Sequence, residues 1–317
     1  MTVSGYKPNA KTLCAVFILL VLAQQVLTFP TETLLARALN NFAHTPWFLI
    51  VTLLIWLLIK TYYFSSFRNQ FMACCLLAFA LCVIAEAFQI FTSRQASLSD
   101  VARNCLGAMS ALSLVFAMHY GGKHRSHIVV FGFMLAASFH LVAMKSVVDV
   151  MWQKYLRAQS FPVLADFANS ADLSSQYVRG NWKIEASPVE WSEQKAQNLA
   201  KIHLNEGTRW PGLILREPFP DWSDFQTLLI NAYLDADTPL ALTLRIETFY
   251  DSGQDSTTQL SLLPGPNKLE FPLLQIVPSM DSKGARIKAM HLFGDHTQAG
   301  RSFYLESISL GTPITGQ

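Results

Sequence analysis

Long apolar runs fill the first half of the chain, and short alternating ones fill the second. Five apolar stretches come first, at roughly Thr12–Phe29, Trp47–Phe64, Phe71–Phe91, Cys105–Tyr120 and His127–Trp152. A bilayer's hydrocarbon layer is about 30 Å thick, so a spanning helix needs about 20 mostly apolar residues. The pattern predicts five membrane-spanning helices, the short fourth run being completed at the interface by Asn104 and the residues before it. Gln24-Gln25 and the missing small-x-small site predict that the first helix is retained rather than cleaved as a signal peptide. After Tyr155 the period falls to two. Strands are predicted at Trp182–Ala186, Leu199–Leu204, Gly212–Arg216, Thr227–Leu234, Leu240–Phe249, Gln259–Leu263, Lys268–Leu274, Lys288–Phe293 and Ser302–Leu310. In Leu240-Ala-Leu242-Thr-Leu244-Arg-Ile246-Glu247 one face is apolar and the other polar, the mark of a strand half in a core. Pro218, Pro220, Pro239, Pro264, Pro266 and Pro278 punctuate the runs as turns. Nine short strands without a convincing amphipathic helix predict two packed antiparallel sheets. The expected fold is multi-domain: an all-α five-span transmembrane bundle over 1–157, then an all-β sandwich over 158–317, with a linker around Arg157–Pro162.

Charge divides at the same place. The chain carries 24 Lys+Arg and 22 Asp+Glu, a net +2. Residues 1–157 hold 12 basic and only 4 acidic residues (Glu32, Glu86, Asp100, Asp149), whereas residues 158–317 hold 12 basic and 18 acidic. That excludes a single water-soluble globule, a disordered chain and a nucleic-acid binder with a basic face throughout. Lys7, Lys11, Lys60, Arg68, Lys123 and Arg125 fall on one side of the expected spans, against Arg37, Arg94 and Arg103 on the other. The positive-inside rule then predicts a cytoplasmic N-terminus and, after five spans, an extracytoplasmic second half. All five cysteines (Cys14, Cys74, Cys75, Cys82, Cys105) lie in or beside spans, where they read as small packing residues. His119, His124 and His127 lie beside Lys123 and Arg125, so they read as part of a positive anchor rather than a metal site. No phosphate loop, Ser/His/Asp order or CxxC repeat is present.

The sharper chemical signal straddles spans three and four: Glu86, Gln89, Arg94, Ser97, Asp100, Arg103, Asn104 and Gly107. Glu86 and Gln89, three apart, share a helical face, and Asp100 lies one turn from Arg103 and Asn104 if residues 97–107 begin a helix. Gly107 and Ala111 form a small-xxx-small seam for a neighbouring helix. The order Glu-x-x-Gln, Arg, Ser, Asp, Asn-x-x-Gly between two hydrophobic helices resembles the VanZ-like membrane proteins over about residues 10–120. The resemblance implies a role in the bacterial cell envelope, the family taking its name from a glycopeptide-antibiotic resistance protein. Intramembrane ionisable groups are functional candidates. Glu86 and Asp100 suit an acid/base pair, with Arg94 and Arg103 gripping a phosphate or carboxylate, though the same group can also simply lock two helices together. No nucleophile is evident, so catalysis is the weaker reading.

The second signal is aromatic. Trp182, Trp191, Trp210 and Trp222 fall in the exported half, and exposed rings of this kind stack on sugar faces. Trp182, Trp210 and Trp222 are the candidate platforms, because Trp210 and Trp222 flank turn-rich sequence and Trp182 follows Gly180-Asn181. The runs Trp210-Pro-Gly-Leu-Ile-Leu, Asp221-Trp222-Ser-Asp224-Phe225, Leu228–Tyr233, Leu263-Pro-Gly265-Pro-Asn267 and Phe303–Ile308 resemble galactose-binding-type jelly rolls of carbohydrate-binding modules, over about residues 162–312. That likeness implies a jelly-roll sandwich that binds sugar chains, often with a structural calcium. Glu306-Ser stands where Asp-Asn is expected, leaving Asp166 and Glu306 as the calcium candidates. No other cofactor is expected. The expected partners are the lipid bilayer of the bacterial cytoplasmic membrane and a cell-envelope or lipid-linked glycan. Three readings stay open: a membrane-anchored glycan binder, an enzyme or transporter acting on an anionic head group, and a protein–protein adaptor.

Overall fold

The structure is a computed structural model and describes residues 9–26, 32–63, 66–90, 97–121, 125–167, 177–188, 198–207, 209–218, 221–249, 256–277 and 286–311. The chain divides into two compact units, residues 1–149 and 150–317. Five helices open it: α1 (Ala10–Val26), α2 (Leu34–Tyr62), α3 (Phe67–Gln89), α4 (Leu98–Tyr120) and α5 (Ser126–Ser160). Four of them, α2 to α5, are long and apolar enough to cross a membrane. α1 has 17 residues, and positions 27–29 of the expected first span lie outside the described residues.

Hydroxyl caps set the helix starts. Thr33 Oγ1 accepts from Ala36 N at 3.1 Å, Ser66 Oγ from Asn69 N at 3.4 Å, and Ser97 Oγ from Ser99 N at 3.2 Å. Three expected boundaries move as a result. α2 begins at Leu34 rather than Trp47 and continues through Pro46, α3 begins at Phe67 rather than Phe71, and α4 begins at Leu98 rather than Cys105. A core of small and branched side chains joins α2, α3 and α4: Phe48, Val51, Ile55 and Ile59, then Cys74, Ala78, Cys82 and Ala85, then Ala108 and Leu112. Cys74 and Cys82 sit at 0% exposure within it, as the packing reading expected. Thin residues let the backbones close: a Cβ on Gly107 would stand 2.1 Å from the Thr45 carbonyl.

The second unit is a sandwich of antiparallel strands: β1 (Val163–Asp166), β2 (Val178–Ala186), β3 (Asn198–His203), β4 (Gly212–Arg216), β5 (Thr227–Leu234), β6 (Leu240–Thr248), β7 (Ser256–Leu262), β8 (Gly265–Pro272), β9 (Ile287–Phe293) and β10 (Ser302–Gly311). Every expected strand is present, and β4 and β5 keep the expected bounds. β1 was not anticipated: four residues directly after the helix carry too little alternation to register. The expected strand at Lys268–Leu274 stops at Pro272, which caps a single helical turn, α6 (Leu273–Ile276).

One sheet runs β7-β6-β9-β4-β2 and the other β2-β3-β10-β5-β8, with β1 added on β10. β2 belongs to both. Val178–Gly180 pair with β4, and Asn181–Ala186 pair with β3. The crossing falls at Gly180, whose φ of 146° suits only glycine. Between the sheets lies one core, with Leu228, Ile230 and Leu234 of β5 facing Leu242, Leu244 and Ile246 of β6. Within this unit the guanidinium of Arg157, near the end of α5, lies 4.1 Å from the Tyr177 ring and donates to the carbonyl of Glu217 at 2.7 Å.

Gly180→Ala places a Cβ 2.5 Å from the Gly212 carbonyl at a φ that L-residues resist. It is expected to destabilise the sandwich by about 2–3 kcal/mol, read as a fall of several degrees in the tryptophan-fluorescence unfolding midpoint. Gly207→Ala, at φ 80° with nothing within 4 Å, should cost clearly less.

Candidate functional site

Each unit gathers a polar constellation among its described residues. In the helical unit, Glu86 and Gln89 of α3 meet Asn104 of α4 and His44 of α2. Glu86 Oε1 accepts from Gln89 Nε2 and from Asn104 Nδ2, each at 3.1 Å. With the Asn104 amide nitrogen turned to the carboxylate, its Oδ1 faces His44 Nδ1 at 3.0 Å, so Nδ1 carries the proton. His44 Nδ1 also lies 3.9 Å from Glu86 Oε1. All four residues are buried, Glu86 at 3% exposure, and its Oε2 has no hydrogen-bond partner among the described residues.

The other expected members divide. Gly107 makes the close approach to α2, where Thr45 Oγ1 donates to the Arg103 carbonyl at 3.1 Å. Ser97 caps α4 and Asp100 pairs with Arg103 one turn on, both serving the helix start. Arg94 lies outside the described residues. His44 was missed because Pro46 reads as a helix boundary, which left it outside the span. The helix instead continues through the proline.

In the second unit, register builds a groove across one sheet. Arg179, Ile214, His291, Arg245 and Thr257 stand side by side on β2, β4, β9, β6 and β7. The next row is Gly212, Phe293, Thr243 and Gln259. Two residues along, Arg216, Ala289 and Glu247 form a third. These are the alternate positions left over once Leu213, Leu215, Leu242, Leu244 and Leu292 turn into the core. The first two rows, with Trp210 and Asp295, line a groove of about 790 Å³. Trp210 is 57% exposed and meets Phe293 edge-on, with ring centroids 5.4 Å apart. Gly212 lets β4 lie against β9, since a Cβ there would stand 2.2 Å from the Leu292 carbonyl. Hydrogen bonds from Thr297 hold the Asp295 carboxyl below the usual carboxylate range.

Of the three candidate platforms, only Trp210 reaches this groove. Trp222 is a correction: at 0% exposure it offers no ring face to a ligand and is instead a central piece of the core. Trp182 is half-buried, packs against the core and meets Phe167 edge-on, 6.0 Å between centroids. Trp191 lies outside the described residues. Arg179, Arg245, Gln259 and His291 were not singled out from the sequence. Alternation marked Arg245 as outward, but nothing local shows which outward residues become neighbours.

Asp166 and Glu306 do come together where β1 pairs β10, the Phe167 amide donating to the Glu306 carbonyl at 2.9 Å. Burial first, and then the Asp166 charge, push the Glu306 carboxyl above its ordinary range. Among the described residues no group of three or more His, Cys, Asp or Glu is placed to hold a metal. Calcium takes six to eight oxygens, so the described side chains do not by themselves make the expected calcium site.

No family model matches the chain, and no curated protein matches it. Among solved structures, the chain is similar to the family 11 carbohydrate-binding module from Clostridium thermocellum in complex with a beta-1,3-1,4-mixed-linked tetrasaccharide. Identity there is 14% over 44% of this chain and 89% of that one, with a TM-score of 0.31. A family 61 module in complex with beta-1,4-galactotriose is 12% identical over 43% of this chain and 87% of that one, with a TM-score of 0.30. A xylan-binding domain from Paenibacillus barcinonensis is 15% identical over 48% and 96%, with a TM-score of 0.32. Scores at this level carry no functional weight, so the chemistry rests on this chain's own residues.

Asn104→Leu strips Glu86 of a donor while keeping it buried, and is expected to cost about 2–4 kcal/mol. Thiol labelling of Cys74 and Cys82 on heating in detergent should then begin at a lower temperature. For Glu306 the linkage runs toward acid. A raised folded-state pKa means that folding takes up a proton, so stability is fullest below the ordinary carboxylate range and falls as pH rises through the raised value. Glu306→Gln should therefore raise the sandwich's unfolding midpoint at neutral pH and flatten its decline between mildly acidic and neutral pH.

Proposed function

We propose that the second unit is a glycan-binding module whose site is the groove on the β7-β6-β9-β4-β2 sheet. The helical unit would anchor it in a bacterial cytoplasmic membrane. The observation that carries this reading is Trp210, an exposed indole at a groove lined by apolar residues such as Ile214 and Phe293 and by the hydrogen-bonding side chains of Arg179, Thr243, Arg245, Thr257, Gln259 and Asp295. Sugar rings present apolar C–H faces and rims of hydroxyls. An aromatic face takes the first, and Arg179, Thr243, Arg245, Gln259 and Asp295 suit the second. A shallow sheet-floored groove accommodates an extended chain without enclosing it.

The distribution of Lys and Arg supports a cytoplasmic N-terminus and an extracytoplasmic sandwich, with α1 serving as the fifth span. The order from Glu86 to Gly107 supports a VanZ-like membrane domain and an envelope role. A second reading keeps its own observation: the Oε2 of buried Glu86, without a hydrogen-bond partner among the described residues, suits a cluster that engages a proton or an anionic carrier's counter-cation.

The test uses the full-length protein in nanodiscs, titrated by calorimetry with envelope polysaccharides and wall fragments. Specific binding is expected, with Trp210→Ala lowering affinity about tenfold or more, the cost of a lost stacking platform. Trp222→Phe, altered inside the core, should leave the affinity of folded protein unchanged. Binding that survives Trp210→Ala would move the site elsewhere, and no binding at all would leave the membrane cluster as the working part.

A further inference from the structure

The groove's charge runs opposite to that of the unit that carries it. Residues 158–317 hold 12 basic and 18 acidic residues. At the groove the balance reverses, with Arg179, Arg245 and the nearby Arg209 and Lys288 set against Glu247 and Asp295. The two carboxylates are already engaged. Asp295 accepts from the amide and hydroxyl of Thr297. Glu247 is shared by Arg245 Nη2 at 3.2 Å, His291 Nε2 at 3.1 Å and Lys288 Nζ at 3.9 Å. Arg179 stands at the other end of the same row, exposed, beside Ile214, and its guanidinium has no ion-pair partner among the described residues.

A guanidinium can donate to the hydroxyls of a neutral sugar, but a neutral ligand leaves its charge unanswered. It is well suited to a carboxylate or sulfate, which it meets with paired N–H donors. Arg179 and Arg245 lie on strands three steps apart, roughly 14 Å at about 4.8 Å per strand. That spacing suits charges repeated along a polymer rather than one isolated anion. We propose that the groove selects an acidic polysaccharide, its repeating anionic groups met by Arg179 and Arg245 and a ring face stacked on Trp210. This rests on the glycan-binding reading above and narrows it.

The test pairs polymers of matched backbone: polygalacturonate against fully methyl-esterified pectin for carboxylate, and dextran sulfate against dextran for sulfate. Each is titrated into the full-length protein in zwitterionic nanodiscs. The acidic member of one pair should bind about tenfold tighter at low salt, and the preference should shrink as salt screens it. The pair showing the preference identifies the anion. Arg179→Gln should remove most of the preference while leaving the unfolding midpoint unchanged, and Trp210→Ala should weaken both members of the pair. Equal, Trp210-dependent binding of charged and neutral members would overturn acidic selection and leave the glycan groove standing. Acidic binding that is indifferent to both Arg179→Gln and Arg245→Gln would overturn it as polyelectrolyte contact elsewhere on the protein. Failure of every polymer to bind would overturn the glycan reading itself.

Discussion

The second unit depends on a place where two backbones meet without side chains. At Gly180, β2 leaves the sheet it shares with β4 and enters the sheet it shares with β3. An added Cβ there would strike the Gly212 carbonyl at 2.5 Å, and one on Gly212 would strike β9 at 2.2 Å. Because both residues are bare, β2, β4 and β9 pack closely enough to keep their hydrogen bonds while β2 changes direction. The outcome has two faces. Inward, the sheets close over a shared apolar core. Outward, the rows starting at Arg179 and Gly212 become the floor of the groove, with Trp210 at its side.

The two polar constellations answer to opposite surroundings. In the helical unit a carboxylate is buried among apolar side chains, and it persists because Gln89 and Asn104 both donate to it, with His44 behind Asn104. Removing charge from water is costly unless the hydrogen bonds are replaced, so three helices are drawn to one point. Gly107 and the Thr45 carbonyl then set how closely α2 and α4 approach. In the sandwich the charged groups keep part of their surface in solvent, and strand register brings Arg245, His291 and Lys288 to Glu247. The first constellation is bound up with the fold of its unit, whereas the second is supported by the fold and left available.

The tryptophans show why composition alone misleads about sites. Trp222 and Trp210 both flank turn-rich sequence, yet one is fully buried and the other is 57% exposed. A large aromatic gains by burial wherever the fold provides a hole of its size. Asp221, beside Trp222, accepts from Ser223 and pins the turn that carries the ring inward. Trp210 precedes Pro211 and Gly212, and its neighbour across the sheet is Phe293, itself only half-buried and on the outer face.

The division into apolar helices and alternating strands was legible from the sequence, because both periods are local: long runs mark spans, and a period of two marks strands half in a core. The shared face of Glu86 and Gln89 was legible too, whereas the start of α4 at Ser97 entered only as a condition, since the apolar run itself began at Cys105. Partnership was not. His44 joins Asn104 across 60 positions of sequence, and Arg179 becomes the row-mate of Arg245 only through β4 and β9. Alternation tells which side chains leave the core but not which strands lie next to each other. Neighbourhood in a sheet or a bundle comes from non-local packing, and that is why the groove and the place of His44 beside Asn104 were decided by tertiary structure alone.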